Sequence, residues 1–278
     1  MRAHLVQLDI VWEDRRANLD RAERLLDGVD VGPGDLIVLP EMFDSGFSLN
    51  TDVTADDGTT AAWLARLADD LGAVVMGGRT VGGCANGGCG KATNHCTVYA
   101  PAPEGGQPLA LCDYAKIHPF TYGREAEKFV GGREVTTFAW EAGGQRLTVC
   151  PTICYDLRFP ELYRLGLSMG AELFTCIANF PAARRAHWRT LALARAIENQ
   201  AFVLAVNRSG KDPYLAYAGG TIAVGPGGEV IGELGEQEAV LSVNLDVAGL
   251  YAWRREFPAW RDAKLMAQLT PGVRSVPR

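Results

Sequence analysis

The feature that most constrains this 278-residue chain is a set of short, predominantly apolar runs alternating with amphipathic stretches. "DLIVLP" (35–40), "AVVMGG" (73–78), "ELFTCIANF" (172–180) and "AFVLAVN" (201–207) are the clearest of these runs. Such segments read as strands covered on both faces, which demands layers above and below the sheet. Between them lie helical spacings: "NLDRAERLLDGV" (18–29), "TTAAWLARLADDLG" (59–72), residues 160–169 and "RRAHWRTLALARAIENQ" (184–200). Further strands are expected at "HLVQLDI" (4–10), which alternates polar and apolar, and at "TVYA", "LALCDYA", "TTFAW", "RLTVCPTIC" and "EAVLSVNL" (238–245). A hairpin over 219–234 turns on Pro226-Gly227-Gly228. Strands spaced by helices make an α/β fold with a mixed sheet and helix layers. The strands are many for one open sheet, so two stacked sheets are expected. No linker or composition change divides the chain, and no repeat of roughly 20 to 50 residues is visible, so 1–278 is expected to be one domain.

Apolar residues make up 47% of the chain, enough for a large core. The net charge is −6 and no basic run stands out, so a nucleic-acid partner is not expected; phosphates need clustered Lys and Arg. No apolar stretch approaches the roughly 18 residues of a membrane helix. The start, "MRAHLVQLDIVWED", reads as a strand reaching acidic residues by Glu13, without the apolar run of a signal peptide. Seven cysteines, an odd number without framework spacing, suit a reducing cytoplasm.

In α/β sheets, ligands sit beyond the carboxyl ends of strands. There the chain places Glu41 after "DLIVLP", Lys116 after "LALCDYA" and Cys154 after "RLTVCPTI". Each alone has an ordinary reading, as a solvated loop charge, a surface lysine and a packed small hydrophobe. Met42, Phe43 and Phe47 around Glu41 argue for enclosure. Together the three residues make chemical sense. A thiol with a pKa of about 8.5 needs a cation or base to attack at neutral pH. Lys116 supplies the cation for a thiolate and then for the oxyanion of a tetrahedral intermediate. Glu41 in an apolar pocket can take the thiol proton, pass it to a leaving amine and later activate water. The N–H of Tyr155, at the strand-to-helix turn, is the second oxyanion donor. Phe43, Asn179 and Phe180 follow strand ends near these residues and are expected to line the pocket.

Other motifs compete. "GLSMG" (166–170) matches Gly-x-Ser-x-Gly, but a helix precedes the serine and a strand follows it, the reverse of a hydrolase elbow. Cys84, Cys89, His95 and Cys96 lie in the Gly-rich piece "VGGCANGGCGKATNHC" (81–96) without paired zinc spacing, so free thiols are expected and no metal. A papain-like Cys–His pair would have to use His118 or His187. His187 sits on an amphipathic helix and His118 is placed to buttress the lysine loop.

Glu41 in "LPEMF", Lys116 in "YAKIH" and Cys154 in "CYDLRFPELYR" resemble, in this order, the Glu-Lys-Cys triad of the nitrilase superfamily of carbon–nitrogen hydrolases. The resemblance runs from "QLDIVWED" through "ARAIENQAFVLAVNRSG" to "REFPAWRDA". It implies a four-layer αββα sandwich, a homodimer or larger assembly with the tail from about 247 to 278 at subunit contacts, and a thioester intermediate without cofactor. It also implies a second glutamate after the lysine, Glu125 or Glu127, positioning Lys116 and the substrate amide; Glu125 is preferred. "PEMFDSGF", "IANFPAARRAHW" and "FPAWRDA" resemble the bacterial omega-amidase branch, which acts on 2-oxoglutaramate-type amides. The chain departs from that branch at Phe180, where Trp is usual, and at "GGT" (219–221), where Gly-Asp-Ser is usual. An acidic keto-acid substrate needs a cation, for which Arg184 is the candidate. An N-carbamoyl amino acid or deaminated-glutathione amidase is the other enzymatic reading. A catalytically inactive binding module is the reading of another class, although no triad residue is missing.

Overall fold

In the computed structural model, which describes residues 1–83, 90–103 and 106–265, the apolar runs become the middle strands of two six-stranded sheets. The first sheet holds β1 (Arg2–Gln7), β2 (Leu36–Val38), β3 (Val74–Val81), β4 (Thr93–Ala100) and β5 (Leu109–Ala115). The second begins with β6 (Phe138–Ala142), β7 (Gln145–Ile153), β8 (Leu173–Ala178) and β9 (Phe202–Asn207). A small separate hairpin, β10 (Ser209–Lys211) and β11 (Ala216–Ala218), follows. Then β12 (Ile222–Val224) and β13 (Val230–Glu233) complete the second sheet, and β14 (Ala239–Asn244) returns to the first. The orders are β14-β1-β2-β3-β4-β5 and β13-β12-β9-β8-β7-β6. Each sheet has a parallel centre, β1-β2-β3 or β7-β8-β9, with antiparallel strands at its edges.

The helices are α1 (Arg15–Leu26), the single turn α2 (Thr51–Thr54), α3 (Thr59–Leu71), the single turn α4 (Glu125–Lys128), α5 (Pro160–Ser168), α6 (Arg185–Asn199) and α7 (Val247–Glu256). Strand residues alternate between two cores. Leu36 and Val38 join the core shared with the second sheet, whereas Ile37 and Leu39 pack with residues of α1 and α3. Both faces of β2 are therefore dry, which is why its sequence carries no polar residue. On the second sheet, Tyr163 of α5 lies 5.0 Å from Phe174 of β8, ring to ring. The result is the four-layer helix–sheet–sheet–helix sandwich. Each fully buried Val, Leu or Ile contributes roughly 1.5–3 kcal/mol, so the shared core dominates sheet-to-sheet cohesion. Polar ties add to it, among them the bond from Trp140 Nε1 to the Gly34 carbonyl at 2.8 Å.

Several boundaries differ from the sequence expectation. Helix α1 starts earlier than residue 18 because Asp14 caps it, accepting from the Ala17 N–H at 3.0 Å. The first strand spans 2–7 rather than 4–10, and its polar residues His4 and Gln7 are buried. His4 is buried against Asp35 (3.0 Å) and Ser242 (2.8 Å), and Gln7 donates to the carbonyls of Gly235 and Gln237. The β10–β11 hairpin and both one-turn helices went unforeseen, being too short for periodicity to register. In the Gly-rich piece, residues 93–96 belong to β4, while 84–89 lie outside the described residues. No helix among the described residues is long and apolar enough to cross a membrane.

Candidate active site

Glu41, Lys116 and Cys154 each sit at or just beyond the end of a strand, and Glu125 lies in the segment that follows Lys116. Glu41 follows β2, and its approach to β3 depends on Gly78, where a Cβ would fall 2.5 Å from the Glu41 Cα. Lys116 is the first residue beyond β5, its N–H held by the Asn94 carbonyl at 2.8 Å. Glu125 opens α4, and Cys154 opens a 3-10 turn directly after β7.

The side chains converge. Lys116 Nζ donates to Glu41 Oε1 at 2.9 Å and to both Glu125 oxygens, at 3.1 and 2.8 Å. Asn94 Nδ2 bridges the same two carboxylates, at 2.7 Å to Glu41 and 3.1 Å to Glu125. The second Glu41 oxygen accepts the Asn179 N–H at 2.8 Å, and Asn179 Nδ2 donates to the Glu41 carbonyl at 2.6 Å. Glu41, Lys116 and Glu125 are all essentially inaccessible to water. Glu127, the other candidate for the second glutamate, is exposed and paired with Arg124 instead.

The backbone is strained around this cluster. Among the described residues, five non-glycine residues have positive φ: Glu13, Met42, Arg124, Cys154 and Gln200. Met42 follows Glu41, Arg124 precedes Glu125, and Cys154 itself sits at φ +50°. A left-handed residue with a Cβ costs roughly 1–2 kcal/mol, and such strain gathers where side-chain direction matters more than stability.

Electrostatics set the resting proton positions. Burial pushes the Glu41 carboxyl up, but the Lys116 ammonium and the donated hydrogen bonds outweigh it and hold it below the ordinary carboxylate range. Burial likewise works against the charged Lys116, yet the carboxylates of Glu125 and Glu41 raise it well above an ordinary lysine. The Cys154 thiol is pushed well up by burial and by the Glu41 charge, which Lys116 only partly offsets. At rest the cluster therefore holds a carboxylate at Glu41, an ammonium at Lys116 and a neutral thiol at Cys154.

Cys154 opens onto a cavity of about 600 Å³ whose wall also includes Tyr155, Asn179, Phe180 and Arg184. Arg184 lies over the rings of Phe120 (5.5 Å) and Tyr122 (5.2 Å) and has no carboxylate partner among the described residues. Phe43 is a correction. It is buried between the first sheet and its helices, its ring 5.5 Å from Trp63, and does not reach the cavity. The turn at Met42 directs Phe43 back onto β3, and Phe47 lines the cavity instead, its ring 5.7 Å from Lys116 Nζ.

Neither histidine is presented to Cys154 as a base. His118 Nδ1 is taken by Asp156 Oδ1 at 2.8 Å, and its ring stacks on Phe159. His187 is exposed beside Arg158. Ser168 of "GLSMG" ends α5, its hydroxyl donating to the Leu165 carbonyl at 2.7 Å. Cys84 and Cys89 lie outside the described residues. Of the remaining zinc candidates, Cys96 is buried in the sandwich core and His95 pairs with Asp113 at 3.0 Å. The sequence reading missed Asn94 and Asp156, for which a polar residue flanking a strand end was the only signal.

The profile of the carbon–nitrogen hydrolase family matches residues 2–255. The omega-amidase YafV of Escherichia coli is 34% identical over 267 residues, covering 93% of this chain and 95% of that protein. The 2-oxoglutaramate amidase of Bacillus subtilis is 32% identical, covering 93% and 96%. The crystal structure of a CN-hydrolase superfamily protein from Xanthomonas campestris, with an arsenic adduct in its active site, superimposes with a TM-score of 0.83 at 36% identity, covering 95% and 97%. With the buried cluster at its strand ends and these relatives along its length, the chain belongs to the carbon–nitrogen hydrolase family.

Proposed function

We propose that the chain is a thiol-dependent amidase that hydrolyses the omega-amide of a small 2-oxo acid to carboxylate and ammonia. The observation that carries this reading is the Glu41–Lys116–Glu125 cluster, dry and mutually hydrogen-bonded, acting electrostatically on Cys154 at the wall of the cavity. Passing the thiol proton to Glu41 as sulfur attacks the amide carbon leaves the cluster's total charge unchanged, so deprotonation does not require a free thiolate in a dry site. The oxyanion that forms is met by the Lys116 ammonium and the Tyr155 N–H. Glu41 returns the proton to nitrogen, ammonia leaves, and a thioester remains on Cys154. Water then gives one proton to Glu41, and its hydroxyl oxygen adds to the thioester. The carboxylic acid departs as sulfur regains the proton from Glu41, the acid ionising to carboxylate in solvent. Glu125, with Asn94, holds Lys116 in place through both steps.

The relatives named for omega-amidase and 2-oxoglutaramate amidase support the substrate class. So does Arg184, a guanidinium at the cavity that has no carboxylate partner among the described residues. The test is ammonia release from a panel of 2-oxo omega-amides, N-carbamoyl amino acids and short neutral amides. Highest kcat/KM on a 2-oxo omega-amide supports the proposal; preference for a carbamoyl substrate favours another branch, and no release from any contradicts it.

A homodimer, with the tail from about 247 to 278 at its contact, completes the proposal; 266–278 lie outside the described residues. Exposed Phe257 and Leu265 support it, and sedimentation at micromolar concentration checks it. A cytoplasmic setting is supported by the five described cysteines, all of them free thiols.

A further inference from the structure

The lysine and the cysteine come from different sheets, and something must fix the offset between them. From the geometry we infer that Asp156 is the positioning residue that does so, an inference that rests on the thiol-amidase reading. Its carboxylate is fully buried and accepts four hydrogen bonds: from Tyr114 OH (2.8 Å), Ile153 N (3.0 Å), His118 N (3.1 Å) and His118 Nδ1 (2.8 Å). Tyr114 and His118 stand two residues before and two residues after Lys116, and Ile153 immediately precedes Cys154. Tyr114 OH also accepts the Ile117 N–H at 3.3 Å, so the network encloses Lys116 along the chain. Asp156 lies on the nucleophile's own 3-10 turn, and its bond to the Ile153 N–H braces the turn in which Cys154 is held at φ +50°. One carboxylate thereby joins the strand end that carries the oxyanion cation to the turn that carries the sulfur.

The chemistry demands an acid here. Each carboxylate oxygen faces a backbone N–H, Ile153 on Oδ2 and His118 on Oδ1. An asparagine would satisfy one of them and present its own NH₂ to the other, whichever way it turned. A buried N–H left opposed in this way pushes the two segments apart.

The test separates oxyanion alignment from thiol reactivity. Amide turnover needs Lys116 in register with Cys154, whereas alkylation of Cys154 by iodoacetamide displaces iodide and forms no oxyanion. Asp156→Asn is expected to lose about a hundredfold in kcat, with KM and the alkylation rate constant each within about threefold of the parent, the loss typical of a reacting group misplaced by about 1 Å. Tyr114→Phe, which removes one of the four bonds and keeps the ring, is expected to lose about tenfold in kcat with the same split, and it carries the test if Asp156→Asn does not fold. A kcat within twofold of the parent in the folded variants overturns the inference. So does a fall in turnover and alkylation by the same factor, which signals general damage. A parent inert toward every amide contradicts the amidase reading instead. The clamp is then judged from a variant's crystal structure, where Lys116 displaced relative to Cys154 supports it and an unmoved pair refutes it.

Discussion

Lys116 and Glu41 are joined by a 2.9 Å hydrogen bond although 75 residues separate them and neither side chain meets solvent. An ammonium in such a place is tolerated only because carboxylates surround it, and the carboxylates are tolerated only because of the ammonium. Under the proposed mechanism, stability and catalysis are therefore coupled at this point.

Lys116→Met is expected to be inactive and to destabilise the fold by about 3–5 kcal/mol, since it strands Glu41 and Glu125 in a dry site. Adding Glu125→Gln to that variant removes one of the stranded charges and should restore part of the loss. Urea unfolding of the two variants checks the sign of the coupling. A double variant less stable than the single one contradicts this picture.

The left-handed backbone at Cys154 makes a separate prediction. Cys154→Gly and Cys154→Ala both lack the thiol, but only the alanine keeps a Cβ at φ +50°. The glycine variant should be the more stable by about 1 kcal/mol, despite glycine's greater freedom when unfolded. Thermal melts of the two proteins, both inactive, are sufficient; equal or reversed stabilities mean that the turn is unstrained.

Alkali should weaken the fold in a defined direction. Burial raises the thiols of Cys96, Cys112, Cys150 and Cys154, and that of Cys176 to about 12. These groups stay protonated in the folded chain while the unfolded chain begins to ionise near their ordinary value of 9.0. The unfolded state then binds fewer protons, so stability holds below that pH and falls as pH rises above it. Unfolding midpoints under reducing conditions should be flat from about pH 7 to 8 and drop by pH 10, the range set by free-thiol ionisation. Constant midpoints across that range contradict the assignment of buried neutral thiols.

Arg184 is expected to govern binding and not chemistry. Arg184→Gln should raise KM for a carboxylate-bearing amide at least about tenfold, the scale of a lost charged hydrogen bond, and leave kcat nearly unchanged. A neutral amide of the same length should show no change. Equal effects on both substrates would assign Arg184 to packing over Phe120 and Tyr122.

What the sequence revealed follows from which forces act locally. The strands were legible because burial on both faces strips polar residues from them, as in "DLIVLP" and "AFVLAVN". Glu41, Lys116 and Cys154 were legible because each lies at or just beyond the carboxyl end of a strand readable in the sequence, Lys116 and Cys154 directly after β5 and β7. Asn94 escaped notice because its bonds reach 53 and 31 residues away, a distance no spacing rule covers. Asp156 escaped for the same reason, its Tyr114 partner lying 42 residues back. Phe43 was misplaced because a residue after a strand can turn toward core or cavity, and the left-handed Met42 decides which. The burial of His4 and Gln7 was not legible because a satisfied buried polar residue and an exposed one share the same letter.

The most direct test is covalent. Substrate mixed with the parent enzyme and quenched with acid during turnover should leave an acyl group on the peptide containing Cys154, read by mass spectrometry. Glu41→Gln, which lacks the base for both acylation and thioester hydrolysis, should carry far less of it. The account predicts that adduct, its absence in Cys154→Ala, and no ammonia release by Cys154→Ala. Ammonia released at the parent rate by Cys154→Ala, or an acyl group carried on another residue, would contradict it.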